Sequence, residues 1–174
     1  MTVVDQTHRG PIQAARDLFL IAKGGLEKFP LSIIQLAMRI AVGAVFFNSG
    51  LLKFRSWEFA IKLFEEEYKV PLLDPVWAAR LATFNELTFP VLLFLGLATR
   101  LATLPLLGMI LVIQTFIYPQ AWTEHLLWGS ILVFLLTRGP GLLSLDQLIE
   151  YQGSGIRDQE SEIKNQGRRL IPDP

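Results

Sequence analysis

Glu86 and Arg39 are the side chains whose type and position point most directly to chemistry. Glu86 stands near the middle of the apolar stretch 76–97, with Arg80, Asn85 and Thr88 as its strongly polar neighbours, and Arg39 stands within another, 33–52. Ionisable groups set mid-segment are expensive in lipid, so they face protein or water. An acid and a base so placed are expected to face each other. Two roles are open to the pair: a structural ion pair that sets helix packing, or a proton- and ligand-handling site in which Glu86 and Arg39 are the catalytic candidates.

Three further residues belong with them. Arg39, Gly43, Phe46, Gly50 and Lys53 share one helical face, within roughly 80° at about 100° per residue, and that face suits the inside of a bundle. Gly43 and Gly50 let a neighbouring backbone come close. Lys53 stands at the end of its segment, where snorkelling to water would leave it without a partner. Gln114 is placed to reach a bundle interior, whereas Asn48 points away from the Arg39 face, toward another helix. Such amides serve as helix–helix glue or as ligand contacts. His125 suits a proton relay near neutral pH or a place at the membrane interface. Paired only with its neighbour Glu124, it makes no metal site, because adjacent helical residues diverge.

Hydropathy gives the elements that must hold these residues. The 174 residues are 51% apolar, with a mean hydropathy of +0.39, which indicates a membrane protein. At roughly 20 residues per span the length suits about four. The spacing predicts an all-α integral membrane protein, an antiparallel four-helix bundle with spans at 31–53, 76–97, 101–118 and 122–138. The turn at 98–100 is short enough to force a hairpin. Residues 1–30 form a cytoplasmic segment, loose over 1–10, with an amphipathic interfacial helix at 11–22 ended by Gly24 and Gly25. A second interfacial helix occupies 54–75, with Trp57, Ala60, Ile61, Phe64 and Tyr68 on one side and Glu58, Lys62, Glu65, Glu66 and Lys69 on the other. Gly139-Pro140-Gly141 stops the last span. A short helix over 142–151 follows, capped by Ser144 with Gln147 three residues on. The transmembrane domain is therefore 31–151, and the polar tail 152–174 is expected to be disordered. Trp77, Tyr118, Trp122 and Trp128 fit an interfacial aromatic belt.

Depth counted at about 1.5 Å per residue places Arg39 roughly 9–12 Å and Glu86 roughly 15–17 Å from the same membrane face. Ten Lys and Arg (9, 16, 23, 28, 100, 138, 157, 164, 168 and 169) flank the spans on the side of the termini, against five (53, 55, 62, 69 and 80) on the other. That bias puts both termini in the cytoplasm. Zero net charge argues against nucleic acid as a partner. The absence of cysteine removes dithiol chemistry, iron–sulfur clusters and thiolate metal sites from the chain itself. No cleavable signal is evident. No nucleophilic triad, phosphate loop or dinucleotide fingerprint occurs. Four short spans without a repeat offer little for alternating access unless the protein forms a homo-oligomer.

The order Arg39-x-x-x-Gly43, Gly50-x-x-Lys53, Glu86, Leu95-Gly96-Leu97-Ala98-Thr99-Arg100 and Arg138-Gly139-Pro140-Gly141-Leu142-Leu143-Ser144-Leu145-Asp146 resembles the DoxX family of small four-helix membrane proteins. The resemblance runs from about Leu36 to Leu148. It implies an antiparallel bundle in the bacterial cytoplasmic (inner) membrane, and singles out Arg39, Lys53, Glu86, Arg100 and Asp146. Some relatives resemble subunits of oxidoreductases that pass electrons to quinone, including thiosulfate-oxidising ones. Others are tied to thiol redox stress or to assembly of membrane proteins. The segment Tyr118–His125 resembles a subgroup found beside peptide-modifying multinuclear iron oxidases and their copper-related peptides.

Two functions of different class follow. One is a redox-linked subunit that binds ubiquinone or menaquinone. A quinone headgroup needs a donor at each carbonyl, an apolar pocket and a proton route. Arg39, Lys53, Gln114 and His125 are the candidate contacts, with Glu86 as the proton carrier, and a partner or soluble electron donor supplies the electrons. The other is a non-enzymatic membrane anchor or assembly partner for another protein or a peptide-modification system, in which the buried pair only holds the fold.

Overall fold

The computed structural model describes residues 11–71 and 73–152. The expectation of a loose stretch over 1–10, and of a disordered tail beyond 152, concerns residues outside that range. The chain divides into two compact units, one up to Leu31 and one from Ser32.

In the first unit, α1 spans Pro11–Glu27. The apolar residues Ile12, Leu18, Phe19 and Ile21 stay exposed. The helix does not stop at Gly24-Gly25 as the sequence indicates. Glycine in a helix costs only about 1 kcal/mol relative to alanine, and an i,i+4 bridge of 3.7 Å from Lys23 to Glu27 spans the pair. Pro30 lies beyond its end, where it suits a helix stop.

The second unit is helical throughout its described residues. Its elements are α2 (Leu31–Arg55), α3 (Trp57–Leu63), α4 (Pro75–Leu95), α5 (Thr99–Val112), α6 (Trp122–Arg138) and α7 (145–152). Among the described residues, α2, α4 and the run Thr99–Ile117 are long and apolar enough to cross a membrane. At 17 residues, α6 rises about 25 Å. It packs with α2, α4 and α5 around Val42, Phe46, Leu93, Leu106, Leu132 and Leu135. The opposite faces carry exposed Ile40, Leu52, Leu81, Phe84, Leu101, Leu111, Leu126 and Val133. Apolar inside and out, these helices suit a lipid bilayer and form an all-α membrane bundle.

Two π-helical turns interrupt the regular winding. Phe64–Tyr68 extends α3 and ends where the Lys69 amide bonds the Phe64 carbonyl at 3.1 Å. Ile113–Ile117 extends α5 and ends where the Tyr118 amide bonds the Ile113 carbonyl at 2.8 Å. Such turns place side chains off the helical phase, often at functional sites. The expected amphipathic pattern over 57–69 holds: Ala60 and Phe64 are buried while Glu58, Lys62, Glu65, Glu66 and Lys69 are exposed. Its apolar face packs on Ala78 and Ala79 of α4.

Close packing sets the register of α2 against α4. A methyl group on Gly50 would lie 2.8 Å from the Glu86 Cβ, and one on Gly43 would lie 2.6 Å from the Phe94 ring. Gly96 in turn meets Arg39. The two helices are therefore staggered. Beyond the Gly50–Glu86 contact, α4 overhangs α2 by about 9 Å, and α2 overhangs α4 at the other end. Depth counts that treat both helices as flush with one membrane plane miss this stagger.

The α4–α5 hairpin is tighter than the expected turn at 98–100. Gly96 (φ +66) closes α4 with Leu97 N–H to Leu92 O at 2.9 Å and Gly96 N–H to Leu93 O at 3.1 Å, a Schellman arrangement. Helix α5 then starts at Thr99, after Ala98 in the left-handed region. Ser144 caps α7 as expected, its hydroxyl accepting the Gln147 amide at 3.3 Å.

Candidate functional site

The stagger decides which charges meet. Arg39 and Glu86 do not. Arg39 packs beside Gly96, ten residues and about 15 Å of helix away from Glu86. Glu86 is instead held by Lys53, whose ammonium donates to both carboxylate oxygens at 2.8 and 2.9 Å. Lys53 also donates to the Ser49 hydroxyl at 2.8 Å, and Ser49 donates to Glu86 at 3.2 Å. Lys53 is 8% and Glu86 3% exposed, so Lys53 does not snorkel. Its ammonium turns inward to Glu86 and Ser49 instead. One turn past the carboxylate lies Pro90, which has no amide to offer the Glu86 carbonyl.

This buried pair lines a cavity of about 600 Å³. Walls of Val45, Phe46, Ala82, Met109, Val112 and Ile113 make it mostly apolar. Pro105 and Gly108 of α5 line it as well, and nothing occupies the space where a Gly108 side chain would begin.

His125 of α6 lines the same cavity and is 5% exposed, buried rather than interfacial. Its Nδ1 lies 2.6 Å from the Gln114 Oε1. The Gln114 amide nitrogen donates to the Pro119 carbonyl at 2.9 Å. With the amide so oriented its oxygen faces the ring, and Nδ1 is the ring nitrogen placed to donate to it. Gln114 thus acts through His125. Glu124 is exposed and also lines the cavity. The structure brings Glu86, Lys53, His125 and Gln114 to one end of the bundle and leaves Arg39 at the other.

Aromatic residues complete the cavity. Trp128 stands edge-on to Phe46 at 6.2 Å and to His125 at 5.6 Å, so it belongs to the cavity wall and not to the interfacial belt. Trp77 and Trp122 are 64% and 58% exposed. Tyr68 and Tyr118 line the cavity with rings 5.9 Å apart. The Tyr118 hydroxyl donates to the exposed Glu67 carboxylate at 2.5 Å. Both phenols lie beyond the ends of the spans. Burial raises the Tyr68 pKa above the ordinary phenol value, and the bond to Glu67, with burial, raises that of Tyr118. Tyr68, Ser49 and Glu67 were not singled out from sequence for this site. Ser49 carried one legible signal, its place one turn before Lys53.

Arg39 is fully buried in a separate network. Its guanidinium donates through Nη2 to the Leu143 carbonyl, while Nε and Nη1, like the Thr99 hydroxyl, have no protein partner among the described residues. Gln35, 4% exposed, donates to the Gly139 carbonyl at 3.1 Å. Asp146 accepts from the Ala98 and Thr99 amides at 2.6 and 2.9 Å, capping α5 with a negative charge at its positive dipole end. These contacts tie the loop after α6 to the α4–α5 hairpin. Asn48 lies exposed on α2.

A sequence model of the DoxX family matches residues 34–119. That stretch holds Arg39, Lys53, Glu86 and Gln114, and ends before His125. No curated protein and no solved structure matches the chain.

Proposed function

Because the chain belongs to the DoxX family, we propose that this multi-pass membrane protein is the quinone-binding subunit of a membrane oxidoreductase system. Its place is the bacterial cytoplasmic membrane, with both termini in the cytoplasm. The observation that carries the proposal is the cavity of about 600 Å³, apolar over most of its wall, with the Lys53–Glu86 pair on one side and His125 on another. Ligand pockets are of this size and character, with few polar groups that fix orientation.

A quinone headgroup presents carbonyl oxygens at opposite edges of a flat ring. Lys53 donates to one, releasing its bond to Ser49 to do so. His125 donates to the other once its Nε2 is protonated, with Gln114 holding the imidazole in place. Glu86 receives or gives the proton that moves with the electrons, and Lys53 compensates its charge. Arg39 takes no part in binding; it holds the fold at the opposite end. The chain has no cysteine, so electrons reach the quinone from a partner protein or a soluble donor.

As a non-enzymatic anchor the bundle would need the Lys53–Glu86 pair only for packing, and the polar lining of the cavity would have no task. Thermal unfolding of purified protein separates the two readings. Ubiquinone or menaquinone analogues are expected to raise the melting temperature, and Glu86→Gln to abolish that rise. No shift with analogues of either class overturns the quinone reading.

A further inference from the structure

The Lys53–Glu86 pair is buried, yet a quinone that is reduced in the cavity must take up protons. Resting on the quinone reading, we propose that Tyr68, Tyr118 and Glu67 form the proton path between this cavity and water.

Three observations carry it. Tyr68 and Tyr118 both line the cavity, with their rings in edge-on contact at 5.9 Å. The Tyr118 hydroxyl is bonded to Glu67 at 2.5 Å, and Glu67 is exposed. The path therefore has an inner end on the ligand space and an outer end in solvent. The two π-helical turns create it: Tyr68 is the last residue of one, and Tyr118 follows directly on the other. The raised pKa of each phenol keeps it protonated, as a relay by exchange requires.

The balance is simple. Reduction of one quinone consumes two electrons and two protons and forms two O–H bonds; the electrons come from a reduced redox partner. For each proton, Glu67 is protonated by water and passes the proton to the Tyr118 oxygen. Tyr118 gives its own proton to Tyr68, and Tyr68 gives its own to Glu86, which hands it on to a quinone oxygen. Each phenol ends neutral. At rest the Tyr118 hydroxyl points outward to Glu67, so uptake begins with its rotation, whereas release during quinol oxidation needs none.

Voltammetry of the full-length protein in nanodiscs on an electrode, loaded with decylubiquinone, tests the path, with the electrode as the electron source. Tyr118→Phe and Tyr68→Phe are expected to slow proton-coupled reduction about tenfold or more, and Glu67→Gln several-fold. The midpoint potential and the amount of bound quinone stay at wild-type values, and the control Glu66→Gln changes nothing. Variants that lose thermal stability but keep the wild-type rate overturn the path and leave only a structural latch. If the tyrosine variants do not fold, Glu67→Gln at the exposed end decides alone: a wild-type rate overturns the path. Wild-type protein that gives no quinone wave overturns the quinone reading itself, and the path with it.

Discussion

The Lys53 ammonium sits 2.8 and 2.9 Å from the two carboxylate oxygens of Glu86, and this contact closes one wall of the cavity. It joins the last turn of α2 to the middle of α4. Gly50 makes it possible, because any larger residue there would push α4 away. Two charges withdrawn from water are tolerated because each satisfies the other and Ser49 bonds both.

Breaking this pair from one side leaves an uncompensated buried charge, at a cost on the order of 3–5 kcal/mol. Lys53→Met and Glu86→Gln are each expected to destabilise the protein strongly, and the double variant less than their sum. Arg39→Ala is expected to add to Glu86→Gln without coupling, since the two residues belong to separate networks. Unfolding in mixed detergent micelles measures both cycles. Strong coupling between residues 39 and 86 would contradict the placement.

Asp146 satisfies two amides at the start of α5 from 47 and 48 residues away. Asp146→Ala strands them and is expected to cost about 1–3 kcal/mol. Ala98 holds a left-handed backbone, φ +46, which costs an L-residue about 1–2 kcal/mol. Ala98→Gly is therefore expected to hold or raise the melting temperature. A marked loss of stability in that variant would contradict the hairpin geometry.

Gly108 offers a way to fill the cavity without disturbing the core, because nothing lies within contact of the position its Cβ would take. Gly108→Leu is expected to reduce quinone-analogue binding at least about tenfold while the melting temperature of the ligand-free protein changes little. Isothermal titration checks the first and a thermal scan the second. Undiminished binding would place the ligand elsewhere.

The Tyr118–Glu67 bond raises the phenol pKa in the folded protein. A group whose folded pKa is raised stabilises fully below its unfolded value, near 10 for tyrosine, and loses that contribution as pH rises through the folded value. Wild-type stability should therefore fall more steeply than that of Tyr118→Phe in the alkaline range, with no difference in slope at neutral pH. Melting curves across pH in both proteins measure this. Parallel curves would mean that the bond is not made in solution.

Much of this was legible in the sequence. The buried face of Arg39, Gly43, Phe46, Gly50 and Lys53 followed from helical periodicity, and all five are buried. Helix α6 occupies the stretch expected from sequence, between Trp122 and Gly139, but among the described residues it is shorter than the three helices long and apolar enough to cross a membrane. The partner of Glu86 was not legible. Depth counting assumes that helices end level, whereas the fit of Gly50 to Glu86 and Gly43 to Phe94 sets a stagger that no single-helix pattern contains. The π-helical turns were equally hidden, since periodicity presumes regular winding. They are what turn Tyr68 and Tyr118 into the cavity, along with residues of three other helices that are distant in sequence.

A photoreactive azidoquinone, irradiated with the purified protein and mapped by peptide mass spectrometry, tests the quinone site most directly. Labelling is expected on cavity-wall segments around Val45–Lys53, Pro105–Val112 and Ala121–Trp128, and excess unlabelled quinone should suppress it. Label spread over the lipid-facing residues of the helices, undiminished by the competitor, would contradict a quinone site in this cavity.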